Sequence, residues 1–203
     1  GITVSAEWTL GIPAYYADIR KAMVIEPSST IIIRCARLDE YDQIGELTFA
    51  AYQDLFDRED LGRYGESMRD VKSRAAKADI VLVAEMYGHG IVGALDYYND
   101  YADALSKPNL EHLEHLEGCA GFRLLAVHPS AQRKGVGRAL VRWCVDRARH
   151  DGRCSIVLNS GSIMQGAQRL YKALGFEQYP KIEFEFRSDT GKMIQVIGMR
   201  LNF

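Results

Sequence analysis

The chain has 203 residues, 47% of them hydrophobic and 26% charged, which fits one domain with a packed core and excludes a wholly disordered chain. Its 25 Lys and Arg against 27 Asp and Glu leave a formal net charge of -2; this argues against a basic protein that coats nucleic acid, and no nucleic-acid partner is expected. No apolar run approaches the ~18 residues that span a bilayer, and Cys35, Cys119, Cys144 and Cys154 form no CxxC pair, so a reduced, cytoplasmic protein without a membrane partner is the expectation.

Residues 1–30 read as an N-terminal extension. Pro13 suits the first position of a helix, and Tyr15, Ile19 and Met23 would share one side of a short helix over Ala14–Val24. Glu7, Asp18, Arg20 and Lys21 break up any apolar stretch there, so no secretory leader is expected. From Ile31 to Phe203 the pattern is that of one domain. Ile31–Ala36 is a β-branched strand. Asp39–Tyr52 carries Ile44, Leu47, Thr48 and Ala51 at helical spacing, and Tyr64–Lys77 is a second, more charged helix. Ile80–Glu85 and Ile91–Tyr98 are strands joined by Tyr87-Gly88-His89-Gly90, a hairpin signal. Residues 99–118 interrupt the pattern. Phe122–Val127 is an apolar strand stopped near Pro129, followed by a helix over Gly135–His150, a strand at Ser155–Leu158 and a helix over Met164–Leu174 closed by Gly175. Strands at Lys181–Arg187 and Met193–Leu201 finish the chain. This order predicts an α/β fold with a mixed sheet and helices on both faces.

The informative stretch is L-A-V-H-P-S-A-Q-R-K-G-V-G-R, Leu125 to Arg138. A strand enters a short loop with two glycines, and a helix starts at once. Such a turn aims several backbone N–H groups and the helix dipole at one spot, a site for phosphate. Gly135 and Gly137 let a pyrophosphate approach the main chain, and Arg133, Lys134 and Arg138 add charge at the rim. A dinucleotide fingerprint needs a third glycine where Leu140 stands. A nucleoside-triphosphate P-loop needs a Gly-Lys-Ser/Thr ending, which is absent. Q-x-x-G-x-G remains, through Gln132, Gly135 and Gly137; by itself it also fits an ordinary strand–helix turn.

A second stretch, Ala167-Gln168-Arg169-Leu170-Tyr171-Lys172-Ala173-Leu174-Gly175-Phe176, follows about thirty residues later. Together the two stretches closely resemble the GNAT superfamily of acyl-coenzyme A N-acyltransferases. The resemblance covers Phe122–Phe176 well and the order of elements from Ile31 to Phe203 more loosely. It implies a mostly antiparallel central sheet with a splayed strand pair. It also implies acetyl-CoA as cosubstrate, no metal, and direct attack by a primary amine while both substrates are bound. The pantetheine arm would pair with main-chain groups of Leu125 and Val127, in the strand that includes Ala126. The pyrophosphate would rest on the amides of Arg133, Lys134, Gly135, Val136, Gly137 and Arg138. Tyr171 matches the tyrosine that often lies near the coenzyme sulfur, where a phenol can donate a hydrogen bond or a proton to the departing thiolate; its alternative is simple packing between helix and sheet. Many relatives carry Asn where this chain has Met164, so Asn159 or Ser160 would take over that contact with pantetheine.

The general base stays open: Glu117, the nearest carboxylate upstream of the splayed strand, Glu85 or Asp96 on the two strands before it, a base acting through water, or none, with the amine arriving partly deprotonated. His112 and His115 are three apart and could share a helix face, but a closed zinc site needs four ligands and no spaced partner pair is evident; a solvated turn is expected. His128 reads as a strand-end residue. Charge is unevenly spread: Ala131–Arg153 holds seven Lys and Arg against two acids, and Ala94–Cys119 holds six acids against one base. The first suits an anionic coenzyme, the second a cationic acceptor. The acceptor would be a small-molecule or peptide amine, and a homodimer fits the resemblance. A non-catalytic acyl-CoA binding or sensing module, or transfer of another short acyl group, are the rival readings.

Overall fold

A computed structural model of the protein describes residues 2–3, 30–53, 58–104, 113–188 and 190–203. The helix expected over Ala14–Val24 lies outside the described residues. Fifteen elements follow in chain order: β1 (Ile2–Thr3), β2 (Ile31–Cys35), α1 (Tyr41–Gln53), α2 (Arg58–Arg69), α3 (Val71–Ala75), β3 (Ile80–Met86), β4 (Gly90–Tyr98), α4 (Tyr101–Ala104), β5 (Cys119–Val127), α5 (Val136–His150), β6 (Ser155–Gly161), α6 (Gln165–Ala173), β7 (Glu177–Gln178), β8 (Phe184–Arg187) and β9 (Met193–Asn202). The strands form one sheet in the order β1-β2-β3-β4-β5-β6-β9-β7, with β8 also on β9. All pairings are antiparallel except β1–β2 and β5–β6.

The expected helix over Tyr64–Lys77 is broken in two. Asp70 caps α3, its carboxylate accepting the amide of Ser73 at 3.0 Å; an aspartate that bonds its own backbone starts a helix rather than continuing one. The strand expected over Lys181–Arg187 begins only at Phe184, because Pro180–Ile182 turns as a 3-10 helix.

Each face of the sheet carries its own core. On one, α5 and α6 bring Val136, Leu140, Cys144, Leu170 and Tyr171 against Ile33, Leu82, Leu95, Phe122 and Leu158. On the other, α1 and α3 bring Ile44, Leu47 and Val71 against Val81, Val83, Ala94 and Ala126. The period-2 alternation of the strands feeds both faces with apolar side chains.

The sheet opens between β5 and β6. The two strands pair only through Cys119–Gly121 and Ser155–Val157. Beyond that point β5 stays on β4 as far as Val127↔Gly93, and β6 stays on β9 as far as Gly161↔Val196. A bulge accompanies the parting. From Ala94 to Asp96 on β4 is two steps, while the partners Ala126 to Arg123 on β5 are three apart. The extra residue falls at Leu124, whose φ of 53° lies in the left-handed region. A bulge bends its strand and ends regular pairing, and a leucine held there is strained.

Candidate active site

The opening is lined by backbone. The amide of His128 donates to Val92 O on β4 at 2.8 Å. Main-chain groups alternate in direction along a strand, so Ala126 also faces β4, and Leu125 and Val127 turn their N–H and C=O into the opening. Across it, the amide of Ser162 donates to Gln195 O on β9 at 2.9 Å. By the same alternation Ser160 faces β9, and Asn159 and Gly161 face the opening. Of the residues expected to meet the pantetheine arm, Leu125, Val127 and Asn159 therefore present main-chain groups to the opening, while Ala126 and Ser160 spend theirs on neighbouring strands. The Ser160 hydroxyl is buried without a hydrogen-bond partner. Asn159 donates its amide to Ile182 O at 2.8 Å, and its carbonyl accepts the Tyr101 hydroxyl at 3.4 Å.

At the mouth, His128 Nδ1 accepts the amide of Ser130 and holds the Pro129–Ala131 turn, the structural role expected of it. Gln132, Arg133, Lys134 and Gly135 are exposed; Arg133 and Gly135 have φ of 61° and 88°. Residues bent this way point successive amides to one side, a concavity for an anion. Gly135 is the N-cap of α5, and Ala139 makes the first helical bond back to it at 2.9 Å. The amides of Val136, Gly137 and Arg138 thus lack acceptors within the helix. A Cβ on Gly137 would come within 3.1 Å of Leu170 on α6, so a larger residue would crowd the gap between the two helices.

Tyr171 is buried, packed on Phe122 at 5.8 Å and Phe176 at 5.9 Å between ring centroids. Burial pushes its phenol upward, with the fields of Tyr101 and Cys144 adding to the effect. It stays neutral at physiological pH.

The three candidate carboxylates separate sharply. Glu117 is exposed and precedes β5 at the closed end of the opening, where Cys119 pairs with Ser155. Glu85 is held by Arg34 at 2.9 Å, and Arg34 in turn pairs with the buried Glu40 at 2.7 Å; Arg34 holds the Glu40 carboxyl below its usual range. Asp96 lies on β4 opposite Arg123, the residue next to the bulge. It is 1% exposed, its oxygens accept no hydrogen bond, and Arg74 stands 3.4 Å away. Burial pushes its pKa up to about 6, with Arg74 and Arg123 working in the opposite direction.

Sequence reasoning missed the aromatic lining of this face. Tyr101 is fully buried, and its ring lies against the backbone of Gly121, where a Cβ would overlap it. Burial pushes the phenols of Tyr98 and Tyr101 up to about 12. Tyr52, at the end of α1, is buried in a cluster with Met68, Leu124 and Met164, and so lies beside the bulge of β5 and the start of α6. The available signal was Arg123 itself, a cation within the apolar strand Phe122–Val127. Among the described residues no group of three or more His, Cys, Asp or Glu could hold a metal ion, and His112 lies outside them. No helix among them is long and apolar enough to cross a membrane.

A sheet that parts beside a bulged strand, with a glycine loop and helix N-terminus at its mouth, defines an acyl-CoA transferase of the GNAT type. The family model of the acetyltransferase (GNAT) family matches residues 41–176; the chain belongs to this family and is an acetyl-CoA-dependent N-acetyltransferase. It is 29% identical over 159 residues to the L-amino acid N-acyltransferase MnaT of Escherichia coli, covering 63% of this chain and 90% of that protein. It is 28% identical over 159 residues to the L-methionine sulfoximine/L-methionine sulfone acetyltransferase of Salmonella typhimurium, covering 63% and 91%. Among solved structures, yncA of Salmonella typhimurium with its cofactor acetyl-CoA superposes with a TM-score of 0.60 at 21% identity, over 85% of this chain and 93% of that one. The ribosomal-protein-alanine N-acetyltransferase of Brucella melitensis gives 0.61 at 18% identity, over 84% and 99%.

Proposed function

We propose that the chain transfers the acetyl group of acetyl-CoA to the α-amine of a free amino acid or a close analogue, by direct attack within a ternary complex. The observation that carries this reading is the opening between β5 and β6 with the glycine loop at its mouth. The acceptor class draws support from the two curated relatives, both named for amino-acid substrates. Pantetheine lies along Leu125 and Val127, near Asn159 and Ser160, with the pyrophosphate over residues 133–138. Amides freed at the Leu124 bulge polarise the thioester carbonyl. The amine attacks that carbon, the C–S bond breaks, and Tyr171 gives its proton to the departing thiolate. Holding both reactants in one geometry supplies much of the rate.

For the base, Asp96 is favoured over Glu117. It shares a face with the tyrosine-lined side of the opening, and a carboxyl tuned to about 6 is ionised at neutral pH yet basic enough to receive a proton through a bridging water. Residues 31–203 act as the catalytic domain, and the protein works in the cytoplasm. CoA release measured against a panel of L-amino acids and of amines without a carboxylate tests the acceptor: the amino acids should turn over and the simple amines should not. Turnover of the simple amines alone contradicts it.

A further inference from the structure

At the closed end of the opening, beside Glu117, two thiols stand together. Cys119 opens β5 and is 2% exposed; Cys154 directly precedes β6 and is exposed. Both reach the same two oxygens. Cys119 Sγ lies 3.7 Å from Glu117 O and 3.0 Å from Ser155 Oγ, and Cys154 Sγ lies 3.8 Å from each. Their backbones suit a bond: Cys119 is in register with Ser155, so Cys154 is one residue off, and the amide of Cys154 donates to Gly118 O at 3.2 Å. Neighbouring strands and one residue of offset give a Cα separation of about 6 Å, inside the range a disulfide accepts.

The geometry points to Cys119 and Cys154 as a reversible disulfide site that closes on exposure to a peroxide. The exposed Cys154 attacks first: its sulfur bonds to one peroxide oxygen, the O–O bond breaks, and water leaves, giving a sulfenic acid. Cys119 then attacks that sulfur; the S–S bond forms, the S–O bond breaks, and a second water carries off the remaining thiol proton. Burial disfavours the Cys119 thiolate, and the hydrogen bond from Ser155 counters that, making Ser155 the group that readies the resolving sulfur. The bridge joins the two strands where their pairing begins, two residues before they part at Gly121 and Val157. It encloses the bulge, the glycine loop and α5 within a single covalent loop, so both ends of the cosubstrate half of the site become tied.

The test uses the full chain treated with hydrogen peroxide, with free thiols counted after denaturation. The expected count falls from four to two, the intact mass drops by two hydrogens, and one linked peptide pair carries Cys119 and Cys154. Dithiothreitol restores all four thiols. Cys154→Ser, at an exposed position, should fold normally and form no bridge. Ser155→Ala should slow bridge formation about fivefold, the weight of one hydrogen bond. A count that stays at four, a bridge between two chains, a bond involving Cys35 or Cys144, or Cys154 oxidised past the sulfenic stage without a link would each overturn the assignment.

Discussion

The two sides of the opening do their work with different parts of the chain. On the α5–α6 side, Tyr171 apart, the features are backbone: the amides of Val136, Gly137 and Arg138, the left-handed Arg133 and Gly135, and the main chain of Leu125 and Val127. On the α1–α3 side they are side chains gathered from distant segments: Tyr52, Arg74, Asp96, Tyr101 and Arg123. An invariant ligand can be met by main chain in a fixed turn, whereas a choice of acceptor needs side chains that can be exchanged. Substitution should therefore act differently on the two sides: backbone-changing replacements hurt cosubstrate binding, and functional-group removal hurts turnover.

The largest effect is expected on the side-chain face. Asp96→Asn should lower kcat by about a hundredfold or more, the usual weight of a general base, while the acetyl-CoA Kd hardly moves. In the wild type, kcat/KM should fall as pH drops through about 6, and the variant should lose that limb. Stability runs the other way. The folded carboxyl keeps its proton to higher pH than the unfolded one, so this group stabilises the fold below about pH 4 and that contribution is lost as pH rises through about 6. Thermal melts of wild type and variant across that window check the sign.

Next comes Gly121→Ala. Its Cβ would overlap the Tyr101 ring, and forced overpacking costs about 1–3 kcal/mol, readable by denaturant unfolding. Gly135→Val forces a β-branched residue to a φ of 88° and should weaken acetyl-CoA binding about tenfold or more by calorimetry. Tyr171→Phe should lower kcat about tenfold without changing acetyl-CoA affinity. The effect sits below the general range for acid catalysis, because a thiolate of pKa about 8.5 leaves with little help. Glu117→Gln should change steady-state rates less than about twofold, since the residue is exposed and lies beyond the paired end of β5 and β6.

The same division explains what the sequence made legible. The glycine loop, the helix after it and Tyr171 sit in two short stretches, each with its own local spacing, and the expected helix at Gly135–His150 matches α5 to within a residue. The central strands were equally readable, since their β-branched and apolar runs are local too; the splay was expected only from the family resemblance. The acceptor face was not. Asp96 and Arg123 are neighbours only through strand register, Arg74 reaches Asp96 from another element, and Tyr101 meets Gly121 across twenty residues. The break at Asp70 was hidden for a related reason: the helical spacing of Tyr64–Lys77 runs through it, and only the side-chain cap reveals the boundary.

The most direct test is a paired measurement of CoA release and N-acetylated product with an L-amino acid as acceptor, using the wild type and Asp96→Asn. The wild type should release CoA and form N-acetyl amino acid in equal amounts, and the variant should lose both together while still binding acetyl-CoA. CoA release without N-acetylated product, or a variant as active as the wild type across the pH range, would contradict the proposed acceptor chemistry on the side-chain face.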